Sequence, residues 1–338
     1  MASITTGTTW NCYDSATMTA REIYGRTLAE MGKTNDRIVG LTADLAKTTA
    51  IVHFANAFPE RFFNVGIAEQ NMMGIAAGLA KTGLIPFAST MSIFACLRAG
   101  EQVRSDIAYQ NLPVKIIATH AGISFGHAGT THHCTEDLAI MRAIPNMTVI
   151  APADGIETSR AVRACVDIPG PVYIRIGRGF EPPCHENEDY PFQIGKAALM
   201  RDGTDFTIIS CGIAVLQAVQ AANTLAEQDH LSVRVLNMHT IKPLDRDAVL
   251  AAVSETRRIL TVEEHNTAGG LGDAVGGVIA ESGKGCVFRK HGLQDEFAEI
   301  GYAEDLYAHY GLDANGIAEK VRAMLGLEAE ADEDWEDE

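Results

Sequence analysis

The sequence predicts an α/β fold of two open, mostly parallel sheets flanked by helices. Short runs rich in Val, Ile, Leu and Phe alternate with helical runs along most of the chain, as parallel sheets require because each crossover needs a helix. A length of 338 residues corresponds to about two domains, each with room for a packed core. Between two blocks of alternation lies "RGFEPPCHENEDYPF", a charged stretch with three prolines and no periodicity, which reads as a linker.

In chain order, "REIYGRTLAEMG" has the spacing of an amphipathic helix, and "RIVGLTADL" reads as a buried strand ending in an acid. A short apolar strand then runs into a small-residue helix over 67–81. Strand "LIPFAST", helix 92–109, strand "VKIIATHAG", helix 135–142, strand "MTVIAPAD", helix 155–166 and strand "PVYIRIGR" complete the first block. The second block is smaller: "DFTIISCG", helix 213–227, "SVRVLNMHTIKPL", helix 246–252, "RRILTVEEH" and helix 271–282. These place one domain at 16–180, a linker at 181–192, a second domain at 193–325 and an acidic, disordered tail at 326–338.

Composition excludes several functions. The chain holds 27 Lys and Arg against 44 Asp and Glu, for a net charge of −17, and the last eleven residues contain eight acids and no base. Nucleic acids and anionic membranes both favour clustered Lys and Arg, so neither is an expected partner. No run of about 20 apolar residues offers a membrane span, and the start lacks the apolar core of a secretory signal. Seven scattered cysteines without a CxxC suggest free thiols in a reducing compartment, and the chain is expected to be cytoplasmic.

Ligands of open parallel sheets bind at the carboxyl ends of strands. Polar residues collect there: Asp44, His120, Asp154 and Arg178 each follow a strand-like run. From His120 to Glu136 runs "HAGISFGHAGTTHHCTE", with four histidines and three glycines. Glycines admit close backbone approach, histidines exchange protons near neutral pH, and a long loop in a compact domain usually has a function. A metal site from His127, His132, His133 and Cys134 is disfavoured because adjacent residues point apart and no second ligand pair exists. "AGGLGD" departs from dinucleotide-binding spacing, and the preceding Glu263 and Glu264 would repel a pyrophosphate, so its glycines read as a tight strand-to-helix turn. Glu69, in "RFFNVGIAEQNMMGIAAGLAKTG", is a lone acid on an apolar strand-helix seam, where a carboxylate is paired or used.

"FFNVGIAEQNMMGIAAGLA", "FASTMSIFACLRAGEQVR", "ATHAGISFGHAGTTHHCTEDLAIMRAIPNMTVIAPAD" and "VYIRIGR" follow one another as in transketolases. The chain resembles that family's pyrimidine-binding and C-terminal domains over roughly 16–325. The resemblance implies a thiamine diphosphate enzyme. Glu69 then takes the place of the glutamate that hydrogen-bonds the cofactor's aminopyrimidine ring and favours its reactive tautomer. Phe94 matches an aromatic packed on that ring, Met91 replaces a second aromatic, and Asp44 matches a residue near the cofactor. His120 and His132 match histidines that move protons at the substrate, giving Glu69, His120 and His132 as the implied catalytic set. Arg21 and Arg178 match arginines that bind a sugar phosphate, with Thr48 beside them. His127 also faces the substrate in this scheme, where it replaces an acid, and Ala128 stands where an aspartate is usual.

No Gly-Asp-Gly motif for holding Mg²⁺ and the diphosphate is present, so no metal ligands are expected here. The resemblance therefore implies half an enzyme: the C-terminal subunit of a split transketolase, completed by an N-terminal-type partner that holds Mg²⁺, in a heterotetramer. The expected reaction transfers a two-carbon ketol unit from a ketose, in phosphorylated form, to an aldose. A 2-oxo acid dehydrogenase beta subunit or a deoxyxylulose-phosphate synthase-like enzyme is the alternative.

Overall fold

The computed structural model describes residues 18–179, 182–185 and 190–327. Most of the acidic tail (328–338) and parts of the linker lie outside the described residues.

Twelve strands form two sheets among the described residues. The first half contains α1 (Ala20–Met31), β1 (Ile38–Thr42), α2 (Val52–Ala57), β2 (Phe62–Asn64), α3 (Glu69–Lys81) and β3 (Ile85–Met91). It continues with α4 (Gly100–Gln102), β4 (Lys115–Thr119), α5 (Asp137–Ala143), β5 (Thr148–Ile150), α6 (Gly155–Cys165) and β6 (Val172–Arg175). The second half contains β7 (Ala198–Arg201), β8 (Phe206–Ser210), α7 (Ala214–Asp229), β9 (Val233–Asn237), β10 (Thr240–Lys242) and α8 (Arg246–Glu255). After these come β11 (Arg258–Asn266), α9 (Leu271–Ser282), β12 (Val287–Leu293), α10 (Ala303–His309) and α11 (Ala314–Leu325).

The seven-stranded sheet has the order β10-β5-β6-β4-β3-β1-β2, parallel except for β10. Every residue of β1, β3, β4 and β6 is buried, which is why these strands read as continuous apolar runs. The five-stranded sheet has the order β12-β11-β8-β9-β7, with β7 antiparallel at its edge.

The structure departs from the sequence reading in two places, and the second shapes the site. "SVRVLNMHTIKPL" is two strands: β9 stays in the second sheet, while β10 crosses to pair with β5 of the first (Thr240↔Ile150). The run expected as one regular helix over 92–109 is instead two π-helical turns, Phe94–Arg98 and Val103–Ala108, around α4. Such turns recur at functional sites because they rotate side chains off the regular helical register.

A buried network joins the halves. Arg175 Nε donates to Asp137 Oδ1 at 3.1 Å and Nη2 to the Glu264 carbonyl at 2.7 Å, while Tyr173 donates to Asp137 Oδ2 at 2.8 Å. Glu264 Oε1 accepts from Ile123 N–H at 2.9 Å and from the Tyr307 hydroxyl at 3.0 Å. The base of the histidine loop is thereby anchored to the second sheet.

Candidate active site

The carboxyl ends of β1, β2, β3, β4 and β6 lie along one edge of the first sheet, and the expected residues follow them, except Arg21, which lies on α1. Asp44 and His120 both adopt left-handed φ, 62° and 61°, a conformation that costs a non-glycine residue free energy and clusters at functional sites. Asp44 is held by Asn64 at the end of β2: its N–H donates to Asn64 Oδ1 at 3.0 Å, and Asn64 Nδ2 donates to Asp44 Oδ1 at 3.2 Å.

Glu69 is the first residue of α3 and is 2% exposed. The helix start carries partial positive charge, which favours a carboxylate there. Arg98 Nη1 lies 3.0 Å from Glu69 Oε2, and its guanidinium stacks 4.1 Å from the centroid of the Phe94 ring. Phe94 and Arg98 are four apart on the first π-helical turn, so one irregular turn delivers both groups to Glu69. Met91 closes β3 and is buried.

The histidine loop is organised around Phe125. His120, His127 and His132 approach its ring edge to face at 4.9, 5.0 and 5.6 Å, and Arg178 lies 4.8 Å over it. His132 also meets Phe94 at 5.6 Å, which links the loop to the Glu69 end. Arg21 Nε donates to the Arg178 carbonyl at 2.9 Å and Nη1 donates to the Thr48 carbonyl. The structure thus brings Arg21, Thr48, Arg178, His120, His127, His132, Phe94 and Glu69 into one chain of contacts. Met91 and Asp44 sit along the same edge, Asp44 tied through Asn64.

His120 Nδ1 lies 2.8 Å from Thr119 Oγ1, which lies 3.4 Å from the Thr90 carbonyl. Both contacts are satisfied when Nδ1–H donates to the hydroxyl and the hydroxyl to the carbonyl, which leaves Nε2 as a base. Burial, then the Arg21 and Arg178 cations, then His132, push the imidazole down to about 3, so His120 is neutral at physiological pH.

Sequence reasoning missed Arg98, Phe125 and Asn64. Arg98 and Phe125 lie inside the quoted runs, but their roles depend on the π-helical turn and on how the loop folds. Glu263 settles the "AGGLGD" question. Its carboxylate accepts from Leu271 and Gly272 N–H at 2.6 and 2.8 Å, filling the start of α9, and a Cβ on Gly270 would lie 2.0 Å from it. A cavity of about 340 Å³ lined by Ser124, Gln217, Glu264 and Tyr307 lies between the halves and includes none of the expected site residues.

Residues 16–181 match the family described as transketolase, pyrimidine binding domain, and residues 195–317 match transketolase, C-terminal domain. The chain belongs to the transketolase family. A putative transketolase C-terminal section of Methanocaldococcus jannaschii is 46% identical to this transketolase chain over 309 residues, covering 91% of it and 96% of the relative. A subunit of the apulose-4-phosphate transketolase of Phocaeicola vulgatus is 40% identical over 297 residues, with 88% and 94% covered. A solved structure described as a split gene transketolase, inactive beta4 tetramer, matches with a TM-score of 0.85 at 44% identity, over 92% of this chain and 100% of that one. This transketolase chain is thus a transferase subunit with the extent of the C-terminal part of a split enzyme.

Proposed function

We propose that this chain supplies the pyrimidine side of a two-subunit transketolase, with thiamine diphosphate held across the interface and Mg²⁺ held by the partner. The observation that carries the reading is the Glu69–Arg98–Phe94 arrangement. Arg98 is a planar cation that donates to Glu69 and stacks on Phe94. A protonatable aminopyrimidine makes the same two contacts, and the Arg98 side chain, 47% exposed, has solvent to swing into. The donor set therefore fits the ring, with Met91 and Asp44 completing its surroundings. Bound thiamine diphosphate supplies the carbon nucleophile for ketol transfer. Glu69 holds the ring-nitrogen proton, and His120 Nε2 and His132 take and return protons at the substrate hydroxyls.

The substrate class follows from charge. Arg21, Arg178 and Thr48 gather at the far end of the histidine loop, and a guanidinium fork suits a phosphate. A ketose phosphate donor and an aldose acceptor are the fitting pair, with His127 on the loop beside the donor. A small 2-oxo acid would leave this cationic cluster without a role. The partner is an N-terminal-type subunit carrying the Gly-Asp-Gly motif, and the assembly is a heterotetramer of two copies of each chain. The described cysteines are free, which suits a reducing, cytoplasmic setting, and no helix among the described residues is long and apolar enough to cross a membrane.

Mixing the chain with its diphosphate-binding partner, thiamine diphosphate and Mg²⁺ tests the reading against a panel of ketoses. Ketol transfer by the mixture and by neither subunit alone is expected. Turnover by this chain alone, or 2-oxo acid decarboxylation without ketol transfer, would overturn it.

A further inference from the structure

Away from this site, three metal-ligating side chains of different kinds converge where the segment between the two sheets returns to the first. Asp154 caps α6, and Cys184 and His185 belong to the described stretch 182–185. Asp154 Oδ2 lies 2.8 Å from His185 Nδ1 and 3.5 Å from Cys184 Sγ, and Cys184 Sγ lies 3.6 Å from His185 Nδ1. Tetrahedral zinc, with bonds of about 2.0 Å to nitrogen and oxygen and about 2.3 Å to sulfur, sets ligand-to-ligand edges of about 3.3–3.6 Å. Both sulfur edges already have that length. The nitrogen–oxygen edge is shorter because a proton bridges it.

A second observation concerns the other ring nitrogen, Nε2. His185 is 7% exposed, and its Nε2 is buried without a hydrogen-bond partner, 3.9 Å from Glu157 Oε1. With its proton on Nδ1, bonded to Asp154, the neutral ring leaves a bare Nε2 facing a carboxylate. With a metal on Nδ1, the proton must sit on Nε2 and points at Glu157, the arrangement that orients histidine ligands elsewhere. Glu157 is fixed for that role: Oε1 accepts from Tyr190 at 2.9 Å and from Asn237 at 2.9 Å, and Oε2 from Ala153 N–H at 2.7 Å.

We propose that Asp154 Oδ2, Cys184 Sγ and His185 Nδ1 form a zinc site with a fourth, water-filled position, oriented by Glu157. On binding, the thiol proton leaves to solvent and the ring proton passes from Nδ1 to Nε2 by exchange with solvent, so that the ion takes the place of the thiol proton and of the proton between Nδ1 and Oδ2. Mixed sulfur, nitrogen and oxygen ligation selects zinc over magnesium or calcium. Cys184, partly rather than fully buried, is the side of the site from which an ion would enter. The Cys184 and His185 N–H groups already donate to Asp154 Oδ2 at 2.9 and 3.0 Å, and the ion would reinforce this anchor of residues 184 and 185 on α6, with Asn237 of β9 held through Glu157. No spacing in the sequence marks the site, because Asp154 and Cys184 are 30 residues apart.

Full-length chain stripped with a chelator and titrated with Zn²⁺ or Co²⁺ alone tests the proposal. Equimolar binding and a near-ultraviolet thiolate-to-cobalt band are expected. Cys184→Ser should remove the band, Cys286→Ser should leave it, and Glu157→Gln should weaken binding by about 10–100-fold. A missing band, or one that survives Cys184→Ser, would overturn the site. If Cys184→Ser does not fold, the zinc-edge absorption spectrum of the wild-type chain decides: one sulfur per zinc supports the site and none refutes it.

Discussion

Glu69 has its carboxylate at the start of α3, buried, with Arg98 as its charged partner. Its removal tests the site most directly, because a lost acid-base group typically costs about 10²–10⁴ in rate. Glu69→Ala should lower turnover of the assembled enzyme by that range and slow proton exchange at the cofactor's reactive carbon in parallel. Exchange at the wild-type rate would remove Glu69 from the chemistry. His120 makes a different prediction. Its folded-state affinity for a proton is held down to about 3, against an ordinary 6.5 in the unfolded chain. Below 6.5 the unfolded state binds a proton that the folded state refuses, so stability falls as pH drops from 6.5 toward 3, and above 6.5 this residue adds no pH dependence. In denaturant titrations, His120→Gln should therefore flatten the slope of stability against pH below 6.5. An unchanged slope would mean that His120 charges in the folded state.

At the scale of elements, the histidine loop depends on its closure as much as on its side chains. Gly122 and Cys134 exchange two backbone hydrogen bonds of 2.9 Å at the loop's neck. Gly122 has φ 61°, and a Cβ there would lie 2.2 Å from the Glu264 carboxyl carbon. Gly122→Ala should destabilise the chain by about 1–3 kcal/mol in chemical denaturation and loosen the loop, lowering kcat. A variant as stable and active as wild type would show that the neck is not a constraint. This loop also marks where the sequence becomes opaque. Buried parallel strands such as Ile85–Met91 are legible because burial on both faces demands a continuous apolar run. The edge strand β12 is not: "VFRKHGL" mixes charged and apolar residues because only its last two residues are buried. The histidines stand out by composition, but Phe125 as their hub and Arg98 as the partner of Glu69 depend on loop folding and on a π-helical turn, neither of which has a local sequence signature. The Asp154–Cys184–His185 cluster joins two stretches that only the tertiary fold brings together.

At the scale of the whole molecule, the surface around Glu69 is apolar in a way that a free subunit does not explain. Ile67 is 78% exposed, Leu97 55% and Phe63 40%, and all three lie on the β2–α3 seam or the first π-helical turn that carry the Glu69 pair. Contiguous exposed apolar residues mark interaction surfaces, and obligate interfaces commonly bury over about 2,000 Å² with the character of a cut core. On the proposed function, a cofactor shared between the pyrimidine side on this chain and a diphosphate side on another would place the interface here, with Ile67 and Leu97 at its rim. Ile67→Lys and Leu97→Glu should then leave the stability of the isolated chain within about 0.5 kcal/mol of wild type, as surface substitutions do. Co-expressed with the partner, the same variants should lose both activity and the mass of a two-plus-two heterotetramer measured by light scattering. A fully active one-to-one heterodimer, or variants that assemble as well as wild type, would place the interface elsewhere and separate Glu69 from the shared site.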